Sequence, residues 1–337
     1  MCVRGGVTLE TGALARRVLF ENGRAVGVEY KVGGALKTAR AEREVILSGG
    51  AYNSPQLLML SGIGPADHLR EHGIDVVHDS PGVGRNLQDH FATGVGYHAP
   101  AFKHFDKEIR FDRLTLAVIQ WALFRTGYLM TLPVSAISYI RTRPDLAQPD
   151  IELLMGRMRP DAQMWFPGFG KPTGGFVGCR VILLHPESRG WVKLRSAIPS
   201  DKPLIFNDYF STPKDMQTMR EGIRRTREVY RSKPFEGITQ TELFPGEDIQ
   251  TDQELDAYTR KTADVIYHPV GTCRMGEDLE AVVDGQLRVR GVEGLRVVDA
   301  SVMPTVIGGH TNAPTIMIAE KAADLLRGRE LLPPADI

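Results

Sequence analysis

Val45-Ile46-Leu47-Ser48-Gly49-Gly50-Ala51-Tyr52-Asn53-Ser54-Pro55-Gln56-Leu57-Leu58-Met59-Leu60-Ser61-Gly62-Ile63-Gly64 holds three structural signals in a row. The apolar run Val45–Leu47 is consistent with a buried strand. Ser48-Gly49-Gly50 is turn chemistry. Asn53-Ser54-Pro55 then predicts the start of a short helix, because a proline in the first helical turn lacks only an N–H that has no partner there anyway. Strand, turn and helix in this order are the building unit of an α/β chain.

Outward from this unit the pattern stays mixed. Toward the N-terminus, residues 7–47 read as strands: Val18 and Phe20 alternate, Asn22-Gly23 is a type I′ hairpin signal, and Val26, Val28 and Tyr30 alternate after it. A second short helix is expected near Pro65–Glu71, stopped by Gly73. From about residue 92 the texture changes. Leu114 to Arg125 has a helical apolar pattern closed by Gly127, and Val181–Leu184 and Trp191–Leu194 look like strands. Thr212-Pro213 caps a long helix whose Met216, Met219, Ile223 and Val229 share a face, and Thr251-Asp252-Gln253-Glu254 is a capping box. Asp284-Gly285 marks a hairpin, Leu295–Val298 another buried strand, and the last helix is expected from about Pro314 to Arg327. Strand segments at both ends, with a mixed lobe between them, predict one region built from two discontinuous pieces plus one inserted domain.

Composition excludes several classes. The chain has 337 residues, 42% apolar and 24% charged, with zero formal net charge. This is globular composition with no basic patch for nucleic acid and no basic amphipathic stretch for a membrane surface. Val45–Ala66 and Ser301–Ala319 lack charge, but their glycines, prolines and asparagines mark strand–loop–helix segments rather than membrane spans. Cys2, Cys179 and Cys273 are far apart and give neither a disulfide framework nor a zinc spacing. There is no His-Glu-x-x-His, so no metal is expected. No apolar targeting segment follows Met1, and a cytoplasmic location is expected.

Two histidines stand out. Tyr267-His268-Pro269-Val270-Gly271-Thr272-Cys273-Arg274-Met275-Gly276 and Gly308-Gly309-His310-Thr311-Asn312-Ala313-Pro314 each carry one, and the second runs into the last helix. Histidine can take or give a proton near neutral pH. A proton acceptor beside a helix N-terminus suits acid–base chemistry next to a developing negative charge. The bland alternative is a pair of structural histidines. A Cys273–His268 nucleophile pair lacks an orienting third group.

Gly50 to Gly64 resembles, position by position, the second signature of the glucose–methanol–choline (GMC) oxidoreductases, FAD-dependent enzymes that oxidise alcohols. The segments Gly84–His90, His185–Gly190, around His268, Val298–Pro304 and Asn312–Asp324 resemble the same family, in order. The resemblance implies a mixed α/β fold: a partial FAD-binding domain (1–91 and 263–337) with an inserted substrate domain (92–262) on an antiparallel sheet with flanking helices. It also implies proton acceptance by His268 and hydride transfer to flavin N5. His310 falls on a second catalytic position, where members carry His or Asn and choline-oxidising members resemble the Asn type. Tyr267, Gly50, Asn53, Asp299, Ala300, Thr311, Asn312 and Pro314 fall on cofactor-lining positions, and Ala15 on one whose backbone meets adenine. Ser135, flanked by Leu132, aligns where choline-type members place a Glu. That implies a neutral primary alcohol as substrate, with O2, a quinone or another electron acceptor.

The family's opening Gly-x-Gly-x-x-Gly βαβ unit has no counterpart here. The resemblance therefore implies a C-terminal portion, expected to bind FAD weakly or not at all alone and to associate with a missing N-terminal segment. A hydroxynitrile lyase and a catalytically silent remnant are the alternatives.

Overall fold

The computed structural model describes residues 7–131, 134–330 and 333. Val45–Leu47 and Leu295–Val297 pair in parallel, Val45 opposite Leu295 and Leu47 opposite Val297. The two ends of the chain thus share one strand pair. Both strands are short, and Leu47, Leu295 and Val297 point into a core with Leu58, Met59, Ile63 and Val302, while Arg296 between the last two pairs with Glu44. The chain divides into two compact units. The first comprises residues 1–89, 188–209 and 268–337, and the second 90–187 and 210–267. This division differs from the expected one chiefly at 188–209, which returns to the first unit. There Trp191–Lys193 pairs with Leu204–Phe206, not with the strand Phe176–Leu183 that precedes it in sequence.

In the first unit, Leu14–Glu21, Arg24–Val32 and Ala35–Arg40 form an antiparallel sheet. Its first turn is Asn22-Gly23, at φ 49° and 77°. Two residues with positive φ match the right-handed twist of the flanking strands, the reason this dipeptide is the strong hairpin signal. Val18 faces the core, and its N–H donates to Ser61 Oγ at 2.8 Å, tying the sheet to the end of the next helix.

That helix runs Gly50–Leu60, three residues earlier than its proline predicted, so Pro55 sits in its interior. An interior proline removes the bond to the carbonyl four residues back, which is Ala51. That carbonyl instead accepts from the buried Thr272 hydroxyl at 2.6 Å. The orphan that would cost about 1–3 kcal/mol is satisfied by a residue 221 positions away.

The second unit is built on an antiparallel sheet with the path Glu242–Phe244, Phe91–His98, Phe176–Leu183, Ile151–Gly156, Val134–Ile140, and Asp264–Val265 pairing with Phe91–His98 off that path. Helix Pro213–Arg231 lies on this sheet, with Met216, Met219 and Ile223 buried as their spacing predicted. Val229, expected on the same face, is only half-buried, because helical period turns it away from the other three. Its close approach depends on Gly222, where a Cβ would come within 2.7 Å of Val181 and 3.1 Å of Ile151. On the same helix Arg227 makes a two-nitrogen contact with Glu242, at 2.7 Å and 3.1 Å. Tyr97 donates its hydroxyl to the same carboxylate at 3.0 Å. Their side chains are only 5% and 1% exposed, so this is an ion pair held out of water. Thr251 and Glu254 form the predicted capping box at the start of Asp252–Thr262.

Candidate active site

The His268 and His310 rings stand edge-to-face, with centroids 5.0 Å apart and planes at 90°. The short stretch Gln88-Asp89 positions both loops. Gln88 and Val270 exchange backbone hydrogen bonds at 3.1 Å and 2.9 Å. The Gln88 side-chain oxygen accepts from Val306 N at 3.0 Å, four residues before His310. Asp89 Oδ1 accepts from the backbone N–H of His268 at 2.8 Å. One strand-like segment, reaching sideways with a backbone, an amide and a carboxylate, therefore sets the position of both imidazole-bearing loops. Gly271 allows the approach: its φ is 94°, and a Cβ there would lie 2.4 Å from the Asn86 carbonyl oxygen.

His268 is half-buried and His310 exposed. Burial first, and the neighbouring His310 second, push the His268 imidazole down from its ordinary value to about 4. Desolvation penalises the charged ring, and a second cation close by would repel it. At neutral pH His268 is therefore uncharged and has a lone pair to offer. The sign for stability follows. A histidine depressed in the folded state contributes stability that is present above pH 6.5 and is lost as pH falls from 6.5 through about 4. Tyr52 is held neutral in the same region, with burial and then the Asp89 charge pushing its phenol up to about 12.

These causes give a direct test. In His310→Asn the repelling ring is absent while the burial remains. The His268 pKa is expected to move up from about 4 without reaching 6.5, read from the pH dependence of its Cε1–H resonance. A downward or absent shift would show that the second imidazole has no electrostatic hold on the first.

The remaining sequence candidates fall in several places. Gly50 and Asp299 meet: Asp299 Oδ2 accepts from Gly50 N at 2.9 Å and from Ser54 Oγ at 2.6 Å, while Oδ1 accepts from Ser301 N at 2.8 Å. The carboxylate is buried and accepts three internal hydrogen bonds, one of them from the Gly50 N–H. Asn53 is exposed, with its amide directed to the Gly49 carbonyl at 3.3 Å. The last helix begins at Asn312, with Thr311 as its N-cap, no side-chain cap and no acidic residue in its first turn. Its first N–H groups have no partner inside the helix, and Pro314 in that turn has no N–H to satisfy. Tyr267 is 79% exposed and holds φ at 64°, an uncommon value for a residue with a Cβ. Ala15 is exposed on the first strand, next to a bulge. Ser135 lies in the second unit at a bulge between Val134 and Ala136, and Leu132 lies outside the described residues. Cys273 is fully buried and its thiol is pushed up by that burial, which removes it as a nucleophile. Among the described residues no group of three or more His, Cys, Asp or Glu could hold a metal.

Residue reasoning overlooked Gln88, Asp89, Tyr52 and Thr272. The first two lie in the Gly84–His90 segment, which carried a resemblance but no assigned role. Nothing in their spacing shows that they meet residues 179 to 218 positions away.

Comparison with known proteins places this arrangement. Two family models described as GMC oxidoreductase match the chain, one over residues 1–92 and the other over 186–319. The chain is 44% identical over 331 residues to a mitochondrial choline dehydrogenase of Mus musculus, covering 98% of this chain and 55% of that protein. It is 42% identical over 332 residues to an uncharacterized GMC-type oxidoreductase of Mycobacterium tuberculosis, covering 96% and 60%. Among solved structures it resembles a formate oxidase of Aspergillus oryzae, with TM-score 0.84 and 28% identity over 94% of this chain and 60% of that one. The chain belongs to the GMC oxidoreductase family. It spans 55–60% of the length of the curated relatives it matches.

Proposed function

We propose that this chain carries the proton-handling part of an FAD-dependent oxidation of a primary alcohol to an aldehyde. The observation that carries the reading is the neutral His268 imidazole beside His310, both held by Gln88-Asp89. FAD, when bound, supplies a hydride acceptor at its N5. His268 takes the hydroxyl proton onto its unprotonated ring nitrogen as the carbon-bound hydride leaves, so the alcohol gives up one proton and one hydride and becomes the aldehyde. His310 bonds the alcohol oxygen and places it. O2 or a quinone would then take the electrons.

The residues present fit such a cofactor. The helices starting at Gly50 and at Asn312 have no acidic residue in their first turns, and the Asp299 carboxylate at the first of them accepts three internal hydrogen bonds. At the Asn312 helix start an electron-rich pyrimidine would meet backbone N–H groups and a positive dipole end. We assign the first helix turn at Asn312 to the flavin pyrimidine, with Thr311 and Pro314 shaping it, and Gly50, Asn53, Asp299 and Ala300 to the ribityl–phosphate side. Tyr267 and Ala15 are assigned to the cofactor on the resemblance alone. Among the described residues the parallel sheet of Val45–Leu47 and Leu295–Val297 has two strands and leaves Ile46 exposed. A two-stranded sheet is marginal alone, and in this reading a dinucleotide-binding βαβ unit extends it.

For the substrate we favour a neutral alcohol. Several curated relatives are named for choline, but here position 135 is an uncharged Ser and position 310 a His, so the carboxylate that would pair with a quaternary ammonium is missing at that point. The test is anaerobic bleaching of the FAD-loaded protein by benzyl alcohol and by choline. Bleaching by the neutral alcohol supports both parts of the reading. Faster bleaching by choline removes the neutral-alcohol assignment and leaves alcohol oxidation standing. No bleaching by either removes the oxidation.

A further inference from the structure

The helix Phe111–Phe124 reads Phe-Asp-Arg-Leu-Thr-Leu-Ala-Val-Ile-Gln-Trp-Ala-Leu-Phe and carries no charged residue from Leu114 onward. A helix that is apolar on all sides belongs in a core or in lipid. This one is in no core: Ala117 is its only buried residue, while Leu116, Leu123 and Phe124 are 67–69% exposed. At about 100° per residue, Leu116, Val118, Ile119, Trp121, Leu123 and Phe124 project around the full circumference. A protein groove grips one face of a helix and would leave the other apolar side chains in water, whereas acyl chains can also close over its flanks. The apolar surface continues into Leu129 and Met130, in the turn packed against the helix end.

Length and charge indicate how it would sit in lipid. Fourteen residues make about 21 Å, short of the roughly 30 Å of a bilayer core, and among the described residues no helix is long and apolar enough to cross a membrane. Exposed cations lie at both ends, Lys103, Lys107 and Arg113 before the apolar run and Arg125 after it. Arg125 lies 4.5 Å over the Trp121 ring, a pairing suited to headgroup depth. The acids of the same stretch are occupied. Asp106 accepts from Thr173 N and Gly174 N, Asp112 pairs with Arg110, and Glu108 pairs with Arg157. From Lys103 to Arg125 five Lys and Arg face three Asp and Glu, so the charge around the apolar run is net positive and matches an anionic lipid surface, against the sequence expectation that no segment serves a membrane surface.

We infer that Phe111–Phe124 is a monotopic anchor that lies in the interface of an anionic bilayer, with its apolar girth in the acyl region and its flanking cations at the headgroups. The inference is independent of the proposed chemistry.

The test is flotation of the purified chain with vesicles of phosphatidylcholine alone and of phosphatidylcholine with phosphatidylglycerol. Binding to the anionic vesicles is expected, weaker by roughly tenfold on neutral vesicles or in high salt. Leu123→Glu with Phe124→Glu is expected to reduce it by a further hundredfold or so without changing the melting temperature, since both side chains are exposed. If that variant misfolds, Lys107→Glu with Arg113→Glu supplies the second arm and should abolish the anionic preference. The inference fails if the chain stays unbound with anionic vesicles or if binding survives both variants. It also fails if light scattering shows a dimer that the Leu123→Glu, Phe124→Glu variant dissociates, which would make the helix a contact between copies.

Discussion

His268→Ala is expected to slow alcohol-dependent reduction of the FAD-loaded protein by roughly 10²–10⁴-fold, the range contributed by one positioned general base. The argument is geometric and electrostatic together. The imidazole is neutral at working pH, because burial and His310 hold its pKa near 4. Its backbone is fixed by the Asp89 carboxylate at 2.8 Å and by the Gln88–Val270 pairing two residues on. A methyl group in its place keeps these backbone hydrogen bonds and removes the imidazole, both as proton acceptor and as the edge-to-face partner of His310. Rapid-mixing measurement of flavin bleaching gives the result directly. Binding of FAD should be almost unchanged, so a large loss of binding with little loss of rate per bound flavin would move His268 from proton transfer to cofactor retention. A rate within about threefold of the parent would remove it from the chemistry.

The largest expected effect on stability belongs to Arg227→Ala, about 3–5 kcal/mol. Arg227 and Glu242 are almost wholly out of water and share three nitrogen–oxygen contacts from two guanidinium nitrogens, and Tyr97 adds a third donor. The pair as such contributes little, because desolvating two charges offsets most of their attraction. Removing one partner is different, since the Glu242 carboxylate would remain buried with only Tyr97 and the Gly246 N–H to hold it. Denaturant unfolding should show the full loss for Arg227→Ala and recovery of most of it when Glu242→Leu is added. A single-variant loss below about 1 kcal/mol would mean that water reaches the carboxylate, and the burial argument would be wrong.

Local chemistry was legible wherever neighbours in sequence supply all the interactions. Asn22-Gly23 forms its turn because the two residues themselves accept positive φ. Thr251 and Glu254 satisfy each other's N–H groups without help from elsewhere. The face of Met216, Met219 and Ile223 is set by helical period alone. The helix containing Pro55 shows the limit. Proline predicted a start, but the helix began at Gly50 because Thr272 supplies the lost hydrogen bond from the far end of the chain. The same limit hid Gln88 and Asp89, whose importance lies in partners from the C-terminal segments.

From its sequence alone this protein disclosed its short-range elements, the candidate histidines and its likeness to an oxidoreductase family, because period, turn chemistry and motif order are properties of adjacent residues. Folding in space decided that His268 and His310 face each other, and that one amide and one carboxylate set both. It also decided that Phe111–Phe124 has almost nothing packed on it. An apolar helix has the same residue pattern whether protein or lipid covers it, so its surroundings are known only once every other element has found its place.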